Sequence, residues 1–293
     1  MSEGGEGGPE RWAGYEVIAV DGSSFCGPGA STTDARVHLQ LRLADLKILS
    51  APIEDYSVGE SFKRFSWQSG QLAVGDRGYA NPPGIAHVVS QGADVLVRVN
   101  RASLPMRQPD GEPVKLMGWL RGLRGHGAHE QQVSIHSREH DHEVKGRLIA
   151  KRLPSAEATK ARARVKRELK GKATPLDFEA AQYVVVFTTV PASRLAGYLC
   201  LELYRVRWQV ELAFKRWKSL CHFDRLPNYR GDTILSWLYA KLLLALCMHR
   251  IVSGASPLFP PEPTGHEADE LALDAVEGGQ HSLARHRRSA AAA

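Results

Sequence analysis

Cysteine is scarce in this 293-residue chain, and what there is lies scattered. The four cysteines, Cys26, Cys200, Cys221 and Cys247, form no Cys-x-x-Cys pair. That argues against a disulfide framework and against a thiolate zinc site, and leaves reduced thiols. Long apolar runs are missing as well. The longest apolar stretch, Ile234 to Val252, carries Lys241 and is unbroken only from Leu242 to Met248. A charge at mid-membrane is costly, so this stretch reads as a buried helix and not as a span. Residues Met1 to Glu10 are acidic and Gly-rich, the opposite of a secretory signal. An acidic excess is also lacking: 38 Lys+Arg face 32 Asp+Glu, for a formal charge of +6. That balance suits a polyanionic partner.

Glycine and proline are absent from Tyr204 to Lys218, and that stretch organises the rest. At about 100° per residue, Tyr204, Arg207, Trp208, Glu211, Lys215 and Lys218 share one stripe of a helix. Val206, Val210, Ala213, Phe214 and Trp217 fall on the other side, as on a helix laid against a core. Glu211 and Lys215 form an ordinary pair four apart, which accounts for part of the polar stripe. One carboxylate among an aromatic and several cations is also what a metal and a phosphate would need together.

Two aspartates lie upstream at strand ends. Residues 15–20 form a short apolar run closed by Asp21-Gly22, and residues 71–74 form another, followed by Gly75-Asp76-Arg77-Gly78-Tyr79. Between them, residues 35–43 alternate as a half-buried strand and Leu46 to Ile53 reads as a third strand. Gly59 to Phe65 reads as a short helix. Asn81-Pro82-Pro83 starts a helix with its body over Ile85 to Gln91, and Asp94 to Asn100 is a fifth strand. In a mixed α/β sheet, residues past the carboxyl ends of adjacent strands converge on one crevice. Each aspartate alone reads more readily as a turn residue; together with Glu211, in this element order, they read as a site.

Residues 101–180 break the rhythm and read as an insertion. Between Arg138 and Lys172 there are twelve Lys or Arg against five Asp or Glu. Short strands are expected at Gln132 to His136 and Arg147 to Ile149, and an exposed basic helix over Thr159 to Lys170. His126, His129, His136, His140 and His142 lack a cysteine and a zinc-type spacing, so they read as an exposed polar loop. Tyr183 to Val190 is a β-branched strand. One long helix is expected from Ala192 through the Glu211 motif. A second, capped at Gly231-Asp232-Thr233, runs to about Val252 and is expected to pack beneath the first. From Gly254 the composition is that of a disordered tail.

The spacing Tyr-x2-Arg-x3-Glu-x6-Lys at Tyr204, Arg207, Glu211 and Lys218 resembles the signature of the DDE transposases of the insertion sequence 4 family. Val20-Asp21-Gly22 and Gly75-Asp76-Arg77-Gly78-Tyr79 are similar to that family's other two blocks, and the likeness covers about residues 15–253. It implies an α/β, ribonuclease H-like mixed sheet flanked by helices, with a β-rich basic insertion. The implied layout is a disordered segment (1–14), a first core part (15–100), the insertion (101–180), a second core part (181–253) and a disordered tail (254–293). The resemblance implies that Asp21, Asp76 and Glu211 are catalytic and hold two Mg²⁺ ions, with Mn²⁺ as substitute. Tyr204, Arg207, Trp208, Lys215 and Lys218 would contact DNA. The implied partners are double-stranded DNA, as transposon ends and target, and a second copy in a synaptic complex, with no membrane; the place is the bacterial cytoplasm, at the nucleoid. Relatives usually carry a helical end-reading domain ahead of the first aspartate, where only 20 residues stand here. A folded remnant that binds DNA without transposing is therefore the alternative to an active enzyme.

Overall fold

The structure is a computed structural model that describes residues 12–25, 35–55, 58–99, 103–139, 142–220, 222 and 232–254. The expected tail after Gly254 and most of the expected N-terminal segment lie outside these residues, as do Cys26, His140, Cys221 and Gly231. The chain divides into two compact units. The first comprises Met1–Gly22, His38–Pro52 and Ser57–Arg207; the second comprises Ser23–Val37, Ile53–Tyr56 and Trp208–Ala293.

The strands are β1 (Glu16–Phe25), β2 (Ala35–Arg42), β3 (Ile48–Ser50), β4 (Ile53–Asp55), β5 (Gln71–Gly75), β6 (Asp94–Arg98), β7 (Ala128–Ser137), β8 (His142–Arg152) and β9 (Tyr183–Thr188). They form one mixed nine-stranded sheet in the order β3-β2-β1-β5-β6-β9-β8-β7, with β4 on β2. β1, β5 and β6 run parallel, and β6, β9, β8 and β7 follow antiparallel. The helices are α1 (Pro82–Ser90), α2 (Leu116–Gly122), α3 (Ser155–Glu168), α4 (Pro175–Ala180), α5 (Gly197–Val206), α6 (Trp208–Leu220) and α7 (Asp232–Gly254). This mixed α/β sheet flanked by helices is the fold class expected of a ribonuclease H-like protein.

In the first unit both faces of the central strands are covered, which is why they read as nearly continuous apolar runs. Ile18, Val20, Ala73, Val95 and Val97 pack with Ile85 and Val88 of α1 on one face. Val17, Leu72, Val74 and Leu96 pack with Leu201, Leu203 and Tyr204 of α5 on the other. The start of α1 is as expected: Asn81 caps it by accepting from Gly84 N at 2.9 Å, with Pro at its first positions. Asp94 ties three strands together, accepting from Tyr15 Oη and Thr189 Oγ1 at 2.6 Å each. Burial and that hydrogen bond push the Tyr15 phenol well above its usual range.

Several expectations are corrected. Leu46 to Ile53 is not one strand: Leu46 takes a positive φ of 56° in the turn ahead of β3, and β3 and β4 are parted at Ala51-Pro52, where proline has no N–H to give a ladder. The half-solvated face expected for residues 35–43 is covered, with His38 and Gln40 both buried. The Gly59 to Phe65 helix shrinks to a 3-10 turn, Phe62–Arg64. The fifth strand stops at Arg98 and the strand at 183 stops at Thr188. The strand pieces in the insertion are ten and eleven residues long, because β7 and β8 pair with each other throughout and β8 also pairs with β9. His129, His136 and His142 therefore sit on a hairpin, not in a loop. The basic helix is there, as α3, with Ala158 its one buried residue.

In the second unit Val210, Ala213, Phe214 and Trp217 are buried, as their side of the motif predicts. Phe214 and Trp217 meet edge to face at 5.7 Å. α7 lies against β4 and buries Leu238, Leu242 and Ala245. The expectation that all its apolar residues are buried fails: Leu243 is 64% and Ile251 67% exposed. No helix among the described residues is long and apolar enough to cross a membrane.

Candidate functional site

The aspartates are placed by strand register. β1 and β5 are in parallel register at Ala19 and Val74. Carried two residues past that last pair, just beyond the end of β5, the same register brings Asp21 opposite Asp76. β5 and β6 are in register at Gly75 and Val97, which sets Arg98 beside Asp76 in turn. By alternation from Val17, Val74 and Leu96, all three lie on the face that α5 covers. Asp76 follows the last residue of its strand as expected. Asp21 does not: β1 continues to Phe25, because β2 still flanks it where β5 has stopped.

Local contacts hold both carboxylates. Gly22 N donates to Asp21 Oδ1 at 2.8 Å, and Gly78 N donates to Asp76 Oδ1 at 2.7 Å. The glycines around Asp76 are required by space. A Cβ on Gly75 would stand 2.8 Å from both Phe62 Cζ and Tyr79 Cβ. A Cβ on Gly78 would stand 1.9 Å from Glu60 Oε2 and 3.1 Å from Asp76 Oδ1. Gly75-Asp76-Arg77-Gly78 is thus a tight turn with a second carboxylate, Glu60, pressed against it.

Cations adjoin this pair. Arg77 keeps part of its surface in solvent. Crowding by protein atoms and repulsion from Arg98 draw its pKa down to about 10, against attraction from Tyr204, Glu168 and Asp76. It stays a cation at neutral pH. Neither Arg77 nor Arg98 stands out by residue type alone. The signal for Arg98 was a single cation closing the apolar run Val95 to Val97.

The Tyr204 to Lys218 motif is split. The single long helix expected from Ala192 is two helices, α5 and α6, broken at Arg207. Tyr204 is buried at 8% exposure in the same cluster as Val74, and so is not on an open polar stripe. The Arg207 guanidinium lies 5.7 Å from the Tyr204 ring centre. Tyr204 and Arg207 belong to the first unit, with both aspartates. Trp208, Glu211, Lys215 and Lys218 belong to the second, on α6, all half-buried, with Glu211 in the first turn. There the Lys218 ammonium lies 5.3 Å from the centre of the Phe25 ring.

α5 is itself anchored by a buried arginine. Arg147 on β8 is 3% exposed; it pairs with Glu130 and donates to Val190 O at 2.9 Å and Leu195 O at 2.8 Å. Those two carbonyls belong to the segment that leads into α5. Gly197 opens the helix where a Cβ would meet Glu130 Oε1 at 2.9 Å.

Two carboxylates one strand apart are hard oxygen donors of the kind Mg²⁺ or Mn²⁺ prefers. Among the described residues no set of three His, Cys, Asp or Glu side chains is arranged to hold a metal ion.

The chain matches the family model of the transposase DDE domain over residues 12–248. It is 30% identical over 262 residues to the putative transposase InsL for insertion sequence element IS186A of Escherichia coli (strain K12), covering 87% of this chain and 70% of that protein. The identity and coverage are the same for the transposase for insertion sequence element IS421 of Escherichia coli. A shorter likeness, 31% over 105 residues, links it to the transposase for insertion sequence element IS231F of Bacillus thuringiensis subsp. israelensis, covering 34% of this chain and 22% of that protein.

Proposed function

The chain belongs to the transposase DDE domain family, and on that premise we propose that it cuts and rejoins DNA at the ends of an insertion element of the insertion sequence 4 type. The observation that carries this reading is the register that sets Asp21 beside Asp76 at the end of β5. Asp21 and Asp76, joined by Glu211, would hold the divalent cation, with Mg²⁺ the physiological choice and Mn²⁺ a substitute. The donor set fits, because all the candidate ligands are carboxylate oxygens. When bound, a pair of such ions supplies positive charge to the phosphoryl and leaving oxygens.

The chain's own residues do the rest. The Gly22 and Gly78 amides hold the two carboxylates at fixed orientations before substrate arrives. Arg77 and Arg98 put fixed positive charge beside Asp76, where a scissile phosphate would lie. Arg207, Trp208, Lys215 and Lys218 would grip neighbouring phosphates and sugars of duplex DNA, which positions the strand without reading its sequence, while the buried Tyr204 would serve as packing and not as a contact. In the first step water attacks phosphorus, the bond to the 3′ oxygen breaks, and a 3′-hydroxyl is released. In the second that hydroxyl attacks a target phosphodiester; one P–O bond forms as another breaks, so no ATP is needed.

The test is strand nicking of DNA bearing the element's terminal repeats, with and without Mg²⁺. Nicking that needs the metal and is lost in Asp76→Ala is the expected result. Metal-independent nicking, or undiminished nicking by Asp76→Ala, would overturn the proposal. DNA binding without any nicking by the unaltered chain would mean a binding remnant instead.

A further inference from the structure

Positive charge is concentrated in one part of the first unit. Between Lys151 and Lys172 nine Lys or Arg stand against two Asp or Glu, an excess of seven. The whole chain has an excess of six, so the remainder is acidic by one charge. All nine cations except Arg164 are exposed. Most of the stretch is α3, whose one buried residue is Ala158, so packing does not account for the helix. Ordinary solvation accounts for part of it. Glu157 and Glu168 stand three and four residues from Lys160 and Arg164, a pairing common on solvated helices. Arg162 and Lys166 have no acid at either spacing and stand four apart from each other, which costs the helix stability. An anion lying along α3 would relieve that repulsion.

Register fixes where this charge stands. Arg98 faces Val186 across the β6 and β9 pair, and β9 begins at Tyr183, further out on the same side. Tyr183 is in register with Arg152, the last residue of β8. The chain therefore leaves the sheet at Arg152 and returns at Tyr183, both at the edge where β5 and β6 end and Asp76 stands. α3 and α4 fill the interval, and Leu153 N donates to Gln182 O at 2.8 Å across its base. Glu168, the last residue of α3, is near enough to attract the Arg77 guanidinium. We propose that α3 grips the phosphates of duplex DNA running outward from the Asp21 and Asp76 site. This contact is separate from those assigned to Arg207, Trp208, Lys215 and Lys218, and its choice of partner rests on the cutting function proposed for the two aspartates. α3 is about 20 Å long, the span of roughly six phosphates of one strand. It has no Asn or Gln, the side chains whose amides read adenine, so it holds the backbone without selecting a sequence.

The test is binding of a fluorescent duplex of unrelated sequence, read by anisotropy from about 50 to 200 mM salt with divalent metal chelated. Lys160→Gln, Arg162→Gln and Lys166→Gln combined should lower the slope of log affinity against log salt by about 3, equally for any duplex. Gln has nearly the helix propensity of Lys and Arg, so the helix should survive. Lys160→Arg with Lys166→Arg keeps the charge and should leave the slope unchanged. So should Lys47→Gln with Lys145→Gln. Those two exposed cations lie toward the opposite edge of the sheet, near the start of β1 and the start of β8. A fall of less than about 1 in the triple variant, one phosphate's share, would overturn the proposal. An equal fall in the Lys47 and Lys145 variant, or in the arginine variant, would overturn it too. Loss of binding to polyglutamate with duplex binding intact would make the partner an acidic protein and overturn it likewise. With the metal chelated, the outcome is distinct from that of nicking. The slope can stay unchanged while Asp76→Ala still abolishes nicking, and it can fall as expected in a chain that does not nick.

Discussion

In the first unit Ile18, Val20, Leu72, Val74 and Leu96 are fully buried, whereas in the second α7 leaves Leu243 and Ile251 about two-thirds exposed. The contrast has a physical origin. Parallel strands must be covered on both faces, so β1, β5 and β6 lock into one register with α1 on one side and α5 on the other. A helix needs only one buried stripe, and α7 has one in Leu238, Leu242 and Ala245. The first unit therefore sets its strands in one register, and the second leaves part of the apolar surface of α7 exposed. The precision belongs to the unit with Asp21 and Asp76, and the surplus belongs to the unit with Glu211.

The largest effect that would sharpen this contrast is on chemistry. Asp21→Ala or Asp76→Ala should lower metal-dependent strand cleavage by about 10²–10³ or more, the range for removing a group aimed at the transition state. Binding of duplex DNA, measured beside it by fluorescence anisotropy, should stay within a few fold. Next comes the frame of the first unit. Arg147→Ala removes a buried guanidinium and strands the Val190 and Leu195 carbonyls and the Glu130 carboxylate, so urea unfolding should show a loss of about 2–4 kcal/mol. A loss under about 0.5 kcal/mol, the level of an ordinary surface change, would show that α5 is not anchored there.

Much of this was legible in the residues, for reasons that also explain what was not. The strands at Asp21 and Asp76 announce themselves as apolar runs, though only the second closes at its aspartate, and the Asn81-Pro82-Pro83 start of α1 is a local signal that the structure repeats. The buried side of α6, Val210 to Trp217, follows from helical spacing alone. The break at Arg207 does not, because nothing from Tyr204 to Lys218 opposes a continuous helix. The full lengths of β7 and β8 come from pairing between positions far apart in the chain, such as Leu148 with Phe187. The place of Arg98 beside Asp76 is a property of register, which no single segment carries. The exposure of α7 was misread because an apolar composition suits a fully buried helix as well as one that buries a single stripe.

Smaller effects probe the second unit and the motif that bridges the division. Lys218→Ala or Arg207→Ala should each reduce the slope of log affinity against log salt by about 1, with a loss that is uniform across DNA sequences. An unchanged slope would remove that residue from the phosphate contacts. Smallest of all, Leu243→Ser should shift the stability of the single chain by no more than about 0.5 kcal/mol, since the side chain is already largely in water. A loss of 2 kcal/mol or more, the scale of a core deletion, would mean that α7 is packed on that face within one copy.

The central claim is that Asp21 and Asp76 hold the divalent metal together. Replacing Mg²⁺ with Fe²⁺ and adding ascorbate and peroxide cuts the protein backbone next to bound metal, and mass spectrometry reads the cut positions. The account predicts breaks adjoining Asp21 and Asp76, with a third adjoining Glu211, all lost in Asp76→Ala. Breaks confined elsewhere, for instance along the histidine-bearing hairpin of β7 and β8, or breaks that persist unchanged in Asp76→Ala, would contradict it.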